Sequence, residues 1–225
     1  KKTSYRKGIT MSKKILKFEE YDLESVNSHA EIIEFQGEKV LKVTRDLEKI
    51  PFDINNIENT SDEPTYTKIK DFDFEDGTIE VKLFSQIQKP QVFSNSRGFI
   101  GIAYRISPND AEFECIYIRP TNCISENQIM RNHTVQYFSY PNYKFATLRK
   151  EQEGKYESWA PVALNEWIDV RIEINGEIAE IFINNLKYSN LIINRMLGSN
   201  KNGEIAFFVD VDTIGYFKNI KITRK

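Results

Sequence analysis

The chain has 225 residues, 40% of them hydrophobic and 12% aromatic, which is enough for a packed core and excludes a disordered segment. Its 31 basic and 33 acidic residues leave a formal net charge of -2, which offers no electrostatic footprint for nucleic acid. No apolar run approaches the roughly 18 residues of a membrane span, and no signal peptide is visible.

Residues 1–14 (KKTSYRKGITMSKK) are basic, polar and aperiodic and read as a loose arm ahead of a single domain over residues 15–225. Strand-like runs then cover Ile15–Phe18, Ala30–Phe35 and Glu38–Thr44, the last two joined through Gln36-Gly37 as a hairpin. Pro51, Pro64 and the stretch INNIENTSDEP make residues 45–65 a long surface connection. From Tyr66 the strands become dense. TYTKIKDFDF passes through Glu75-Asp76-Gly77 into TIEVKLFSQI, where Ile79, Val81 and Leu83 alternate with Glu80, Lys82 and Phe84.

The stretch from Arg97 to Tyr143 follows: RGFIGIAYRI, a turn at SPND, AEFECIYIRP, a polar loop, and NHTVQYFSYPNY. It threads Arg, Glu, His, Gln and Tyr through strand pattern, which makes it the first place to look for a site. Residues 144–165 are irregular, with one short helical turn and Trp159. In EWIDVRIEINGEIAEIFINN the residues Ile168, Val170, Ile172 and Ile174 alternate before Asn175-Gly176 turns the chain into a second strand. Lys187–Ile193, a GSNKNG loop, Glu204–Val209 and Gly215–Ile222 complete the series. About a dozen short strands, with turns every 8–12 residues or so and almost no helix, predict one all-β domain, an antiparallel β-sandwich without linker or repeat. Two cysteines do not make a disulfide scaffold. Cys115 reads as a small strand residue, and a bridge to Cys123 is the other reading.

The segments FEDGTIEVKL, RGFIGIAYRI, FECIYIRP, NEWIDVRIEINGEIAEIFIN and GEIAFFVDVDTIGYFKNIKI resemble, in content and order, the concanavalin A-like lectin/glucanase superfamily. The branch they are most similar to is the 3-keto-disaccharide hydrolase-like, or glycosidase-like, one. The likeness covers most of residues 66–223 and extends more faintly over 15–44. It implies a jelly roll of two curved sheets with a concave, sugar-holding face, an oligosaccharide or polysaccharide partner, and a secreted or periplasmic setting; no cofactor is expected.

Glucanases of that superfamily carry E-x-D-x-E on a central strand, so that acid, base and nucleophile share a face. Here the pattern occurs as Glu20, Asp22 and Glu24, near the N-terminus, so the usual catalytic signature is missing from its place. With Ile100, Ile102, Tyr104 and Ile106 facing the core, alternation sends Gly101, Ala103 and Arg105 to the other face. With Ile116 and Ile118 inward, Cys115, Tyr117 and Arg119 face outward. Arg105, Tyr117, Arg119, Gln136, Tyr140 and Trp159 are therefore the candidates to position a sugar, through fork-shaped donors and aromatic faces, and surface ion pairs or core packing are the plain alternatives. Glu114 and His133 are the acid/base candidates, against a solvent-facing carboxylate and a hydrogen-bonding surface imidazole. Asp71, Asp73 and Asp76, or Asp210 and Asp212, are the acidic clusters to consider for a structural calcium ion, although neither has the spacing of a dedicated loop. Zinc, P-loop and G-x-S-x-G patterns are absent.

Three readings follow. The chain is a glycoside hydrolase-like protein acting on or recognising an oligosaccharide, or a non-catalytic carbohydrate-binding module of lectin or laminin-G-like type. The third is a structural or interaction domain whose groove is filled by its own loop, with 144–165 the candidate segment.

Overall fold

The computed structural model describes residues 14–225, so the basic-arm reading of the N-terminus lies, but for Lys14, outside the described residues. Two antiparallel sheets pack as a sandwich. In spatial order the first contains β1 (Ile15–Phe18), β2 (Tyr21–Val26), β5 (Tyr66–Ile69), β14 (Glu204–Val209), β7 (Ile100–Ile106), β8 (Phe113–Ile118), β9 (Val135–Tyr140) and β10 (Glu157–Ser158). The second runs β13 (Leu191–Ile193), β12 (Ile178–Ile183), β11 (Trp167–Asn175), β6 (Gly77–Ile87), β15 (Thr213–Arg224), β4 (Glu38–Arg45) and β3 (Ser28–Phe35). Three short helices, α1 (Ile57–Thr60), α2 (Gln128–Asn132) and α3 (Phe145–Glu151), lie in the connections. None of the described helices is long and apolar enough to cross a membrane.

The alternation read from the sequence does the packing. Val170 pairs with Val81 and Ile172 with Ile79, so neighbouring strands β11 and β6 send their β-branched residues to the same face. Phe207 of β14 and Phe217 of β15 meet with ring centroids 5.1 Å apart, inside a cluster of buried residues shared by both sheets. Each such side chain, fully buried, contributes about 1.5–3 kcal/mol. The Gln36-Gly37 and Asn175-Gly176 turns join β3 to β4 and β11 to β12.

Three departures from the sequence expectation stand out. Tyr21–Val26 is a strand, because Tyr21 and Leu23 bury one face while its acidic residues stay at or near the surface. The run expected at Lys187–Ile193 keeps only Leu191–Ile193, since Asn184 and Asn185 take positive φ and turn the chain. Glu157–Ser158 adds a two-residue edge strand on β9. Cys115 is a small buried strand residue, as its sequence setting indicated, and neither it nor Cys123 is in a disulfide.

The middle of the first sheet is buried on both faces. Every residue of β7 and β8 is buried. The outer face carries Cys115, Tyr117, Phe113, Phe138 and Phe208, whose rings contact one another at 5.6–5.8 Å. The segment 46–65, the loop 88–99 and helix α3 all border a cavity that opens off this face. Helix α3, from the segment 144–165 expected to fill the groove, and the partly exposed Phe52 and Ile57 of the long connection 46–65 line this cavity rather than fill it.

Candidate functional site

Strand parity places Tyr117 opposite Gln136 and Gln136 opposite Glu157, on the outer face of β8, β9 and β10. Arg119, two residues beyond Tyr117, continues that face as the chain leaves β8, and its backbone N–H still bonds the Thr134 carbonyl at 2.7 Å. Its guanidinium is held from several sides. It donates to the Tyr117 hydroxyl at 2.6 Å, to the His133 carbonyl at 2.9 Å and to Gln136 Oε1 at 3.2 and 3.3 Å. It also stacks over the Tyr117 ring, 4.8 Å from the centroid. Fixing a guanidinium in this way removes most of the entropy a free arginine would lose on binding a ligand.

Above this array is a cavity of about 230 Å³. Phe52, Phe93, Phe99, Tyr117 and Phe145 supply aromatic walls, and Asp62, Arg97, Arg119, Asn122, His133 and Arg149 supply polar groups. A few convergent polar side chains in an otherwise apolar recess is the usual composition of a small-molecule site.

The charges are arranged in two knots. In one, Glu157 is buried and receives Arg149 through a close ion pair, lies 3.8 Å from Arg119, and has His133 Nδ1 at 2.8 Å from its Oε2. The His133 contact is at charge-pair distance but is not aligned as a hydrogen bond. Burial pushes the Glu157 carboxyl up, but His133 and Arg149, with Arg119 behind them, outweigh it and hold it at about 2. In the other knot Arg45 and Asp210 form a buried pair at 2.6 Å, and Asp210 Oδ2 accepts the Asp62 backbone N–H at 3.0 Å. Asp62 sits at φ 53, and its carboxyl accepts the Phe145 N–H at 2.8 Å and lies close to the Tyr117 hydroxyl. Burial, helped by the negative charge of Asp210, raises Asp62 to about 6. The same burial lifts the Tyr117 phenol well above its ordinary range, so it stays a neutral hydroxyl.

Of the residues the sequence singled out, Tyr117, Arg119, Gln136 and His133 come together here. Arg105 does not. The pairing of β14 with β7 slips between Glu204 and Ala206, and Arg105 takes φ 50, so a bulge turns its side chain away from the outer face that simple alternation assigned it. The guanidinium instead donates to the Glu75 and Gly176 carbonyls, at 3.0 and 2.8 Å, and to Asp76 at 3.0 Å. There it ties the turns at one end of the second sheet. Glu114 lies on the inner face of β8, paired with Tyr104 and Ser139, where it accepts the Tyr137 hydroxyl at 2.5 Å and the Gly198 N–H at 2.7 Å. Burial raises its carboxyl. It is separated from His133 by the strand itself.

Tyr140 stacks on Phe113 at 5.0 Å, next to Lys144, outside the cavity. Trp159 is 43% exposed and donates to the Cys123 carbonyl. Glu20, Asp22 and Glu24 border β2 near one edge of the first sheet, away from the cavity. The aspartates weighed for calcium have protein partners: Asp71 with Lys70, Asp73 with Asn202, Asp76 with Arg105, Asp210 with Arg45, and Asp212 with the Phe93 N–H and Ser96 hydroxyl. Among the described residues no group of three or more His, Cys, Asp or Glu side chains is placed to hold a metal ion.

Asp62, Arg97, Phe145, Arg149 and Glu157 were not singled out from the sequence. They come from the covering segments and the edge strand, whose sequences carry no period.

No family model and no curated protein matches the chain. Solved structures do match. The carbohydrate-binding module CBM66 from Bacillus subtilis superposes with a TM-score of 0.51 at 12% identity, over 87% of this chain and 94% of that one. A Bacillus subtilis protein of unknown function with a galectin-like fold gives 0.49 at 9% identity, over 88% of this chain and 90% of that one. Domain 4 of AbnA, a GH43 extracellular arabinanase from Geobacillus stearothermophilus solved with arabinotriose, gives 0.43 at 8% identity, over 86% and 74%. At such identities the likeness is one of fold: the chain is an antiparallel β-sandwich built on the same plan as the Bacillus subtilis module.

Proposed function

We propose that the chain is a non-catalytic saccharide-binding module whose ligand occupies the cavity over Tyr117 and Arg119. The observation that carries this reading is the combination in one recess of aromatic walls with a pre-fixed Arg119, Asn122 and His133. Rings of that kind pack against sugar C–H faces, and the polar groups match ring hydroxyls. The recess is small, about 230 Å³, which suits one sugar unit better than a long polymer. The shared plan with a carbohydrate-binding module supports the reading.

Hydrolysis, including the 3-keto-disaccharide hydrolase-like chemistry, is the weaker reading because a glycosidase needs two carboxyls flanking one bond, about 5–9.5 Å apart. Glu114 faces the other side of the sheet, and Asp62 and Glu157 are each engaged by protein donors. The test is calorimetric titration of a broad mono- and oligosaccharide panel, with mass spectrometry of each mixture after long incubation. Saturable binding that is lost in Phe145→Ala and His133→Ala, with unchanged sugars, is expected. Shorter products that persist in repurified protein would replace this reading with hydrolysis.

A further inference from the structure

We infer that the cavity selects an anionic sugar, one bearing a carboxylate or a sulfate or phosphate ester, whose charge is met by Arg97. The inference rests on the saccharide reading above and names its ligand class.

The charges at the cavity do not cancel. Arg45, Arg97, Arg119 and Arg149 stand against Asp62, Glu157 and Asp210, with His133 beside them, in a chain whose overall formal charge is -2. Arg45 is consumed by Asp210, and Glu157 is shared among Arg119, Arg149 and His133. Asp62, held at about 6, carries less than a full charge in mildly acidic solution, which tips the balance further toward positive. Arg97 is the surplus. Among the described residues no hydrogen bond or ion pair engages its guanidinium.

Its backbone, by contrast, is fixed. The Arg97 carbonyl accepts the Thr121 N–H, and the next carbonyl, of Gly98, accepts the Ser85 hydroxyl at 2.7 Å. Gly98 sits at φ 75, where an added Cβ would lie 2.6 Å from both Leu164 and Ser85, so the backbone beside Arg97 is closely packed. A half-buried, unpaired guanidinium on a closely packed loop lining a partly desolvated recess is a site for a counter-charge. Its bond to a carboxylate or phosphate oxygen is roughly twice as strong as a neutral one. Asn95 and Asn122 on the same walls offer amides for the sugar's hydroxyls.

The experiment compares matched pairs by calorimetry at low salt: galactose with galacturonate, glucose with glucuronate, and N-acetylglucosamine with its 6-sulfate and 6-phosphate, alongside inorganic sulfate and phosphate. The acidic member is expected to bind at least about 10-fold tighter, with the preference shrinking as salt rises. Arg97→Gln removes most of that preference, and Lys70→Gln, outside the cavity, retains it. Equal binding of neutral and acidic members, or a preference that survives Arg97→Gln, overturns the inference while leaving saccharide binding intact. Binding of inorganic anions with no sugar bound upholds the anion preference and overturns the saccharide reading. If neither sugars nor anions bind, both fall.

Discussion

Strand β8 carries two buried carboxyl–tyrosine arrangements, one on each side of the first sheet, and they serve different ends. Inside, Glu114 accepts the Tyr137 hydroxyl and the Gly198 N–H, while Tyr137 in turn accepts the Leu197 N–H at 2.7 Å. Outside, Tyr117 stands between Asp62 and Arg119, under a cavity. Both sites bury a carboxyl and a phenol, and burial raises the carboxyl in both. What separates them is what remains unspent. The inner knot is closed by two backbone N–H groups of one loop, packed so tightly that a Cβ at Gly198 would fall 2.0 Å from Glu114 Oε1. The outer one retains an unpaired cation, an imidazole edge and open space. A buried polar network therefore marks a binding site only where donors and volume are left over after the protein has satisfied itself.

The comparison is sharpest at Glu114. Glu114→Ala strands the Tyr137 hydroxyl and the Gly198 N–H, at about 1–3 kcal/mol each. Thermal unfolding should then drop by on the order of 10 °C, at about 2–4 °C per kcal/mol for a chain this size. Saccharide affinity, measured below the lowered transition, should not change; if affinity falls instead, the two faces are not independent.

Next is Asp62. Its native pKa of about 6 lies above the ordinary 3.8, so the folded state holds the proton more tightly than the unfolded one. Stability must fall as pH rises from about 4 to 6, by up to ~3 kcal/mol at 1.36 kcal/mol per unit. Glu157, held at about 2, acts in the opposite sense, adding stability that disappears only as pH falls below about 4.5. Asp62→Asn should flatten the unfolding midpoint between pH 4.5 and 6.5; an unaltered slope in that variant would show that Asp62 is not the titrating group. Asp210, Lys144, Arg119 and Tyr117 face it, and their charges are common to both proteins.

Arg119→Met is smaller in stability and larger in function: losing one charge-assisted array should weaken saccharide binding about 10–100-fold, near 1.5–3 kcal/mol. Calorimetry checks it, and binding within twofold of the parent would remove Arg119 from the site. The smallest effect is expected from Trp159→Ala, whose exposed ring lies off the cavity: affinity unchanged and stability lowered by roughly 1 kcal/mol for the lost bond to Cys123, read by the same two measurements.

Much of this was legible in the sequence because period-2 patterns are local. Ile79, Val81 and Leu83, or Ile168 through Ile174, declare a strand and its buried face without reference to anything distant. The same parity grouped Tyr117, Arg119 and Gln136, which the structure brings into contact. It failed at Arg105, because a bulge depends on the register of β14, about a hundred residues away in sequence. It was silent on Asp62, Arg97 and Arg149. They lie in aperiodic connections, and which part of the sheet those connections cover is decided by tertiary packing. A sequence of this type shows the floor of a cavity well and its roof poorly.

The roof has one more consequence. The segment ending at Asp62 and helix α3 are clasped to each other, through the Phe145 N–H on Asp62 and the Lys144 ammonium on Glu63 at 2.7 Å. The two covering pieces therefore hold each other in place over the cavity, and losing either contact would loosen both together.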